Sequence, residues 1–260
     1  MTIGWLEQEN NYAHQISEDP YHKLRTEFIL RLFPDHANLV LDFGCGEGFF
    51  SELMLRNGLA KKVIGVDPST ELIRIAGENQ YLSSNIDCDI KLGGSDDLKV
   101  IEESSVDLVI ALNVLAYMTR DEEIQFYNES NRILKPGGHL LVTHSNELFD
   151  LFTLNNLTVE FFSSNFKVDI SEFLELKNVE HVSTYGIREN PLSYALKLAQ
   201  FGFEQKRIDF FHHHSDLPRK QNSTARNKVS SEMEFRTLTN PVDWQEYFMS
   251  STFGVLASKI

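Results

Sequence analysis

An apolar run ends in an acid at Val40-Leu41-Asp42, and the chain then turns on three alternating glycines, Gly44, Gly46 and Gly48, before Phe49 and Phe50. Glycine adopts backbone angles closed to other residues and lets the main chain approach a bound molecule closely. The stretch therefore reads as a buried strand, a ligand-cradling loop and the start of a helix, an arrangement suited to a nucleotide-like ligand. A plain glycine turn is the alternative. The amphipathic segment that follows and the second acid at Asp67 favour the ligand loop.

The rest of the chain repeats that strand-to-helix order. Residues 11–33 place Tyr21, Leu24, Phe28 and Leu32 at helical spacing after Asp19-Pro20, which predicts a helix beside the sheet. Core packing, a solvated face and ligand contact all account for Tyr12, Tyr21, His22 and Arg25. A helix follows the loop to Asn57-Gly58, and Val63 to Asp67 is a strand. Residues 70–79 are helical, 86–92 form a short strand, 105–113 a strand with a polar end, 121–134 a helix closed by Lys135-Pro136-Gly137-Gly138, and 139–143 the fifth strand. This alternation predicts a parallel sheet with helices on both faces. From Ser145 to Asn190 the rhythm breaks into a stretch carrying Phe149, Phe152, Phe161, Phe162, Phe166 and Phe173. It is too apolar for a solvated linker and too long for an ordinary loop, and it reads as an insertion over the mouth of the sheet. A helix from Pro191 to Phe201, a sixth strand from Phe203 to His214, a polar connector, a short helix near Trp244 and a last strand from Thr252 to Lys259 complete the chain.

Composition narrows the functional classes. The formal net charge is -14 over 260 residues, an acidic balance that disfavours nucleic acid, whose phosphates are met mainly by Lys and Arg. Cys45 and Cys88 are the only cysteines, which suggests no disulfide framework and fits a cytoplasmic location. The N-terminus lacks a basic segment followed by an apolar core, and no run approaches a membrane span, so neither a secretory leader nor a membrane partner is expected.

Val40 to Gly48, Val66-Asp67-Pro68-Ser69, Gly93-Gly94-Ser95-Asp96-Asp97-Leu98, Val106 to Asn113 and Leu134-Lys135-Pro136-Gly137-Gly138 together resemble, in order, the motifs of the seven-stranded (class I) S-adenosylmethionine-dependent methyltransferases. The resemblance implies an α/β, doubly wound, mostly parallel seven-stranded Rossmann-like sheet with an antiparallel last strand and a lid insertion. It implies a single domain over 1–260: an N-terminal helical segment (1–37), a cofactor-binding core (38–144), a lid (145–190) and a C-terminal helix and strands (191–260). It also implies S-adenosylmethionine as cofactor. Gly44, Cys45 and Gly46 would place main chain against its methionyl part, with Asp42 orienting the ammonium. Asp67 would accept from the ribose hydroxyls. Ser95 and Asp96 would border the adenine, Pro68 would offer the ring an apolar surface, and Asn113 would lie beside the sulfonium. A cap or turn is the alternative for Asp96 and Pro68. A dinucleotide site would require glycine at position 49, where Phe49 stands.

Methyl transfer from a sulfonium is an in-line displacement in which positioning supplies much of the rate, and a base is needed mainly for a neutral hydroxyl. His144, expected just after the fifth strand at the carboxyl edge, is the candidate base; a polar residue finishing the strand is the alternative. In Phe210-Phe211-His212-His213-His214, alternation would put His212 and His214 on one face, where they are candidates for substrate binding. Consecutive strand residues cannot converge on one ion, so no metal is expected. The acceptor is expected to be small or medium-sized, methylated on oxygen or nitrogen. A short similarity of residues 190–214 to methyltransferases of surface-sugar pathways leans towards a sugar. A protein methyltransferase and a cofactor-binding regulatory module without turnover are the other readings.

Overall fold

The computed structural model of the protein describes residues 20–34, 36–152, 187–213 and 244–260. One seven-stranded sheet runs in the order β3-β2-β1-β4-β5-β7-β6. Its strands are β1 (Ala37–Phe43), β2 (Ala60–Asp67), β3 (Cys88–Leu92), β4 (Val106–Ala111), β5 (Leu134–Ser145), β6 (Phe203–His213) and β7 (Ser250–Lys259). Strands β1 to β5 pair in parallel, whereas β7 inserts antiparallel between β5 and β6. The expected doubly wound sheet with an antiparallel last strand is the sheet observed.

Both faces are covered because the central strands are apolar on both sides. Leu41, Val109, Leu140, Val142 and Phe253 point to one core, which α5 (Arg120–Ile133) and α7 (Tyr194–Gln200) close. Val40, Leu108, Ile110 and Leu141 point to the other, closed by α1 (Pro20–Leu32) and α2 (Phe49–Arg56). Two further helices, α3 (Thr70–Glu78) and α4 (Gln80–Ser84), link β2 to β3, and each is capped by a side chain: Ser69 accepts from the Leu72 amide, and Asn79 from those of Tyr81 and Leu82. The short α4 was not expected from the sequence, since the pattern there spans barely one turn. In α5, Thr119 and Glu122 form a capping box that starts the helix sharply.

Strand β5 is longer than its apolar core suggests. Lys135 to Gly138 belong to it, and the excess length is absorbed by a register irregularity between Val106 and Leu108 opposite Leu134 and His139. At the amino ends of the strands, Asp107 accepts the Asn38 and Leu39 amides at 3.1 and 2.8 Å and pairs with Lys135 at 2.7 Å. This acid of the fourth motif therefore ties β1, β4 and β5 together on the side away from the glycine loop.

At the other end, beyond β5, Asn146 is fully buried. Its Nδ2 donates to the carbonyls of Tyr247 and Ser250, and its Oδ1 accepts the Leu148 amide. Asn146 also pairs as an isolated parallel bridge with Glu189. The start of α6 (Glu147–Phe152), the chain returning at Glu189 and the junction of α8 (Trp244–Met249) with β7 are thus fastened together at the carboxyl edge. The bulk of the expected lid, residues 153–186, lies outside the described residues, as does the connector 214–243 with His214.

Candidate active site

A doubly wound sheet binds ligands beyond the carboxyl ends of its strands at the point where the strand order reverses. Here β1 leads outward to β2 and β3 on one side while β4 lies on the other, so the switch point falls between Phe43 and Ala111. The glycine loop leaves β1 at this point. Gly44 and Cys45 both donate to the Val66 carbonyl of β2, at 2.7 and 3.1 Å. Gly44 has φ +73, and a Cβ there would lie 2.1 Å from Val114 Cγ2. Gly46 also has a left-handed φ, but its missing Cβ faces space bounded only by Leu72 Cδ1 at 3.9 Å. The loop is therefore packed tight at its root and open at its tip, which suits a ligand lying against main chain. The Cys45 side chain turns down against Gly65, and burial pushes its thiol pKa up, so this residue offers its backbone and not a nucleophile.

Two acids sit under the loop. Asp67, buried at the end of β2, accepts the Gly46 amide at 2.9 Å and the Ser69 amide at 2.8 Å, one on each carboxylate oxygen. It braces the glycine loop as well as standing where ribose hydroxyls are expected. Asp42 is buried beneath, accepting from the Ser51 hydroxyl of α2 at 2.7 Å. Burial raises its pKa to about 7; the Ser51 hydrogen bond opposes this and the Asp67 charge adds to it. Ser51 had no sequence signal beyond being a hydroxyl in the first turn after the glycines.

On the adenine side the placements are mixed. Pro68 is exposed beside Asp67, as a surface for a ring requires. The Ser95 hydroxyl, by contrast, is turned onto the Glu122 carbonyl of α5 at 3.3 Å. Asp96 is exposed and takes Lys99 and Gln125 at 2.7 and 2.8 Å, which hold its carboxyl below the usual range. Both side chains join the 3-10 turn Ser95–Val100 to α5, while the turn itself is capped by Asp97, whose Oδ2 accepts the Gly94 amide at 2.8 Å.

Past β4, Asn113 is half-buried with φ 61, an unusual conformation for a residue with a side chain. Its amide donates to Thr143 Oγ1 at 2.8 Å, and the Thr143 hydroxyl donates back to Asn113 Oδ1 at 3.3 Å. Thr143 escaped the sequence reading because it looks like an ordinary strand residue.

His144 requires correction. It lies inside β5, not after it, and its ring enters the core that α5 and α7 cover. Nε2 meets the Tyr194 hydroxyl at 2.6 Å, that hydroxyl meets Tyr127 at 2.5 Å, and the ring packs on Tyr194 and Phe253. Burial, with the charges of Lys197 and Arg120, pushes its pKa well below the ordinary value. A neutral imidazole 2% exposed and bonded to a tyrosine is a core group. Over it, Glu123 and Glu189 each pair with both Arg120 and Lys197. The strand alternation expected at His212 also fails: the residue has φ 63, and its Nδ1 lies 2.9 Å from the Ser251 hydroxyl. Among the described residues no cluster of side chains could hold a metal ion.

The methyltransferase-domain family matches residues 41–142, from β1 into β5. A ubiquinone biosynthesis O-methyltransferase of Xylella fastidiosa is 28% identical over 163 residues, 62% of this chain and 62% of that relative. One of Xanthomonas axonopodis pv. citri is 31% identical over 148 residues, 55% of this chain and 59% of that relative. The chain thus spans less than two thirds of the length of these curated relatives. Among solved structures, it is similar in fold to the N-methyltransferase NodS from Bradyrhizobium japonicum WM9, in complex with S-adenosyl-L-homocysteine. The TM-score is 0.60 at 12% identity, covering 99% of this chain and 98% of that one. An S-adenosylmethionine-dependent methyltransferase from Mesorhizobium loti gives 0.57 at 15%, covering 91% and 98%. The chain thus contains a methyltransferase domain over residues 41–142, and the seven-stranded sheet that holds it is similar in fold to these S-adenosylmethionine-dependent methyltransferase structures.

Proposed function

We propose that the protein methylates an oxygen atom of a small or medium-sized acceptor. The observation that carries the reading is the glycine loop, tight at Gly44 and open at Gly46, braced by Asp67 at the switch point of the sheet. When bound there, S-adenosylmethionine supplies an electrophilic methyl carbon, whose bond to sulfur breaks as the acceptor oxygen bonds to it. Asp42 would supply negative charge below the loop for the ammonium, and Asp67 would accept from the ribose hydroxyls. Gly44 and Gly46 admit the methionyl part against their main chain, Pro68 offers its exposed ring to the base, and Asn113 stands at the reacting end. Ser95 and Asp96 shape the adenine side through their backbone turn, since their side chains are engaged with α5. Holding acceptor and methyl group in line contributes about 7–11 kcal/mol in favourable cases. With His144 enclosed in the core, an acceptor hydroxyl acidic enough to ionise near neutrality suits this edge, because it needs no protein base.

The names of the sequence relatives support oxygen over nitrogen. They lend nothing to a sugar acceptor. The net charge of -14 favours a small molecule over a polyanion. His212, at the end of β6, and the Asn146–Glu189 bridge lie at the carboxyl edge of the sheet, on the side proposed to meet the acceptor. Calorimetry with S-adenosylmethionine and its demethylated product should show binding of both. Incubation with methyl-labelled cofactor and fractionated cell extract should then place label in the small-molecule fraction. Label in protein would establish a protein methyltransferase, and binding without transfer a regulatory module; absence of binding overturns the reading altogether.

A further inference from the structure

Thr143 is 2% exposed, and its hydroxyl makes two hydrogen bonds, both to Asn113: it accepts the backbone N–H at 2.8 Å and donates to Oδ1 at 3.3 Å. A hydroxyl carries one proton. Donating that proton to Oδ1 settles which way the Asn113 carboxamide faces, and its Nδ2 N–H groups are left for the open side. Asn takes a left-handed φ more readily than other residues with a side chain, and such residues, when fixed by their neighbours, gather at functional sites. Thr143 provides that determination from the adjacent strand β5. The position is also pinned from the opposite side, since Val114, the next residue, is packed directly onto Gly44 at the root of the cofactor loop. Asn113 therefore stands at the β1/β4 switch point, beside the main chain proposed to carry the methionyl group.

We infer that Thr143 is a positioning residue for methyl transfer, which holds Asn113 with its Nδ2 N–H groups turned to the acceptor atom, and that this arrangement selects an oxygen nucleophile over a nitrogen one. The selection follows from lone pairs. A hydroxyl or phenolate oxygen can accept from Nδ2 with one pair and attack the methyl carbon with another. A neutral amine has a single pair, which the new carbon–nitrogen bond requires, so it cannot accept from Nδ2 and react at once. During the reaction the oxygen–carbon bond forms, the carbon–sulfur bond breaks with its electrons going to sulfur, and the oxygen's proton, where it has one, goes to solvent. The inference rests on the methyl-transfer reading and deepens it.

The test compares wild type, Thr143→Val, Thr143→Ser and Asn113→Asp in the labelled-cofactor incubation, using the small-molecule fraction of cell extract as acceptor pool. Product is identified as O-methyl or N-methyl by mass spectrometry, and affinity for S-adenosylhomocysteine is measured in parallel. Thr143→Val is isosteric and lacks the hydroxyl; it is expected to slow transfer by about 10- to 100-fold while affinity for the demethylated cofactor stays within about twofold. Thr143→Ser should restore most of the rate, which a purely packing role for the threonine methyl would not allow. Asn113→Asp keeps the shape and removes the donor, and should lose transfer as Thr143→Val does. Wild-type rates in Thr143→Val or Asn113→Asp, or label appearing on nitrogen, overturn the inference. Failure of the underlying reading shows differently: wild type binds no cofactor or transfers no label, and the inference falls with it.

Discussion

At Gly44 the backbone angle and the surrounding space are both closed to a side chain. A Gly44→Ala variant must adopt φ near +73 and displace Val114, whose Cγ2 would lie 2.1 Å away. Strain and overpacking each cost about 1–3 kcal/mol, so the variant should melt at lower temperature and lose at least about tenfold in cofactor affinity, measured by thermal denaturation and calorimetry. Asp42 offers a second test at the same scale. Its pKa is raised from 3.8 to about 7 in the fold, so the folded chain holds a proton that the unfolded chain releases. That contribution to stability is fully present below the unfolded value and is lost as pH rises to about 7. A bound ammonium favours the carboxylate, so cofactor binding should release a proton near neutrality, and affinity should rise between about pH 6 and 8. Calorimetry in buffers of different ionisation enthalpy measures the proton directly, and Asp42→Asn should abolish it. A wild-type enthalpy independent of buffer would contradict the proposed pairing.

At the scale of elements, β5, α5 and α7 meet at the line His144, Tyr194, Tyr127. Removing the central hydroxyl with Tyr194→Phe leaves an imidazole nitrogen and a buried phenol with one partner fewer, and should destabilise the protein by about 1–3 kcal/mol. His144→Ala should destabilise by about 2–5 kcal/mol, as other large-to-small core changes do. A fall in turnover with unchanged melting temperature would instead restore His144 to the site. The pH dependence runs opposite to that of Asp42. Because the folded imidazole is held well below 6.5, the unfolded chain binds the proton first, and stability is lost as pH falls below about 6.5.

Across the whole molecule, one charge cluster connects distant parts of the chain. Glu123 of α5, 1% exposed, and Glu189, which returns the chain to β5, share Arg120 and Lys197. Two acids and two bases make the group neutral, but a single deletion leaves a buried carboxylate under-compensated. Lys197→Met should cost about 3–5 kcal/mol, and adding Glu123→Gln should recover part of the loss, a non-additivity readable in denaturant titrations. The cluster roofs the His144 line and lies beside the Asn146–Glu189 bridge. The base of the expected lid is therefore fastened to the same core that the sheet encloses.

What was legible in the chain was what depends on nearest neighbours: the apolar runs of the strands, the glycine loop, and the acids and prolines that follow each strand. Those local signals specify an alternating α/β order with a glycine loop where β1 ends, and the resemblance of the motifs to those of methyltransferases implied the sheet order and the cofactor class. Side-chain direction was not legible, because it depends on what lies across the sheet. Asp96 and Ser95 turn to α5, His144 turns into the core because Tyr194 waits there, and a left-handed φ at His212 breaks the alternation that a strand pattern assumes. Thr143 and Asn113, thirty residues apart in sequence, meet only because β4 and β5 are neighbours. The glycine loop is a local structure written in consecutive residues; the carboxyl edge beside it is assembled from separate strands, and only the tertiary fold decides which of their polar groups face it.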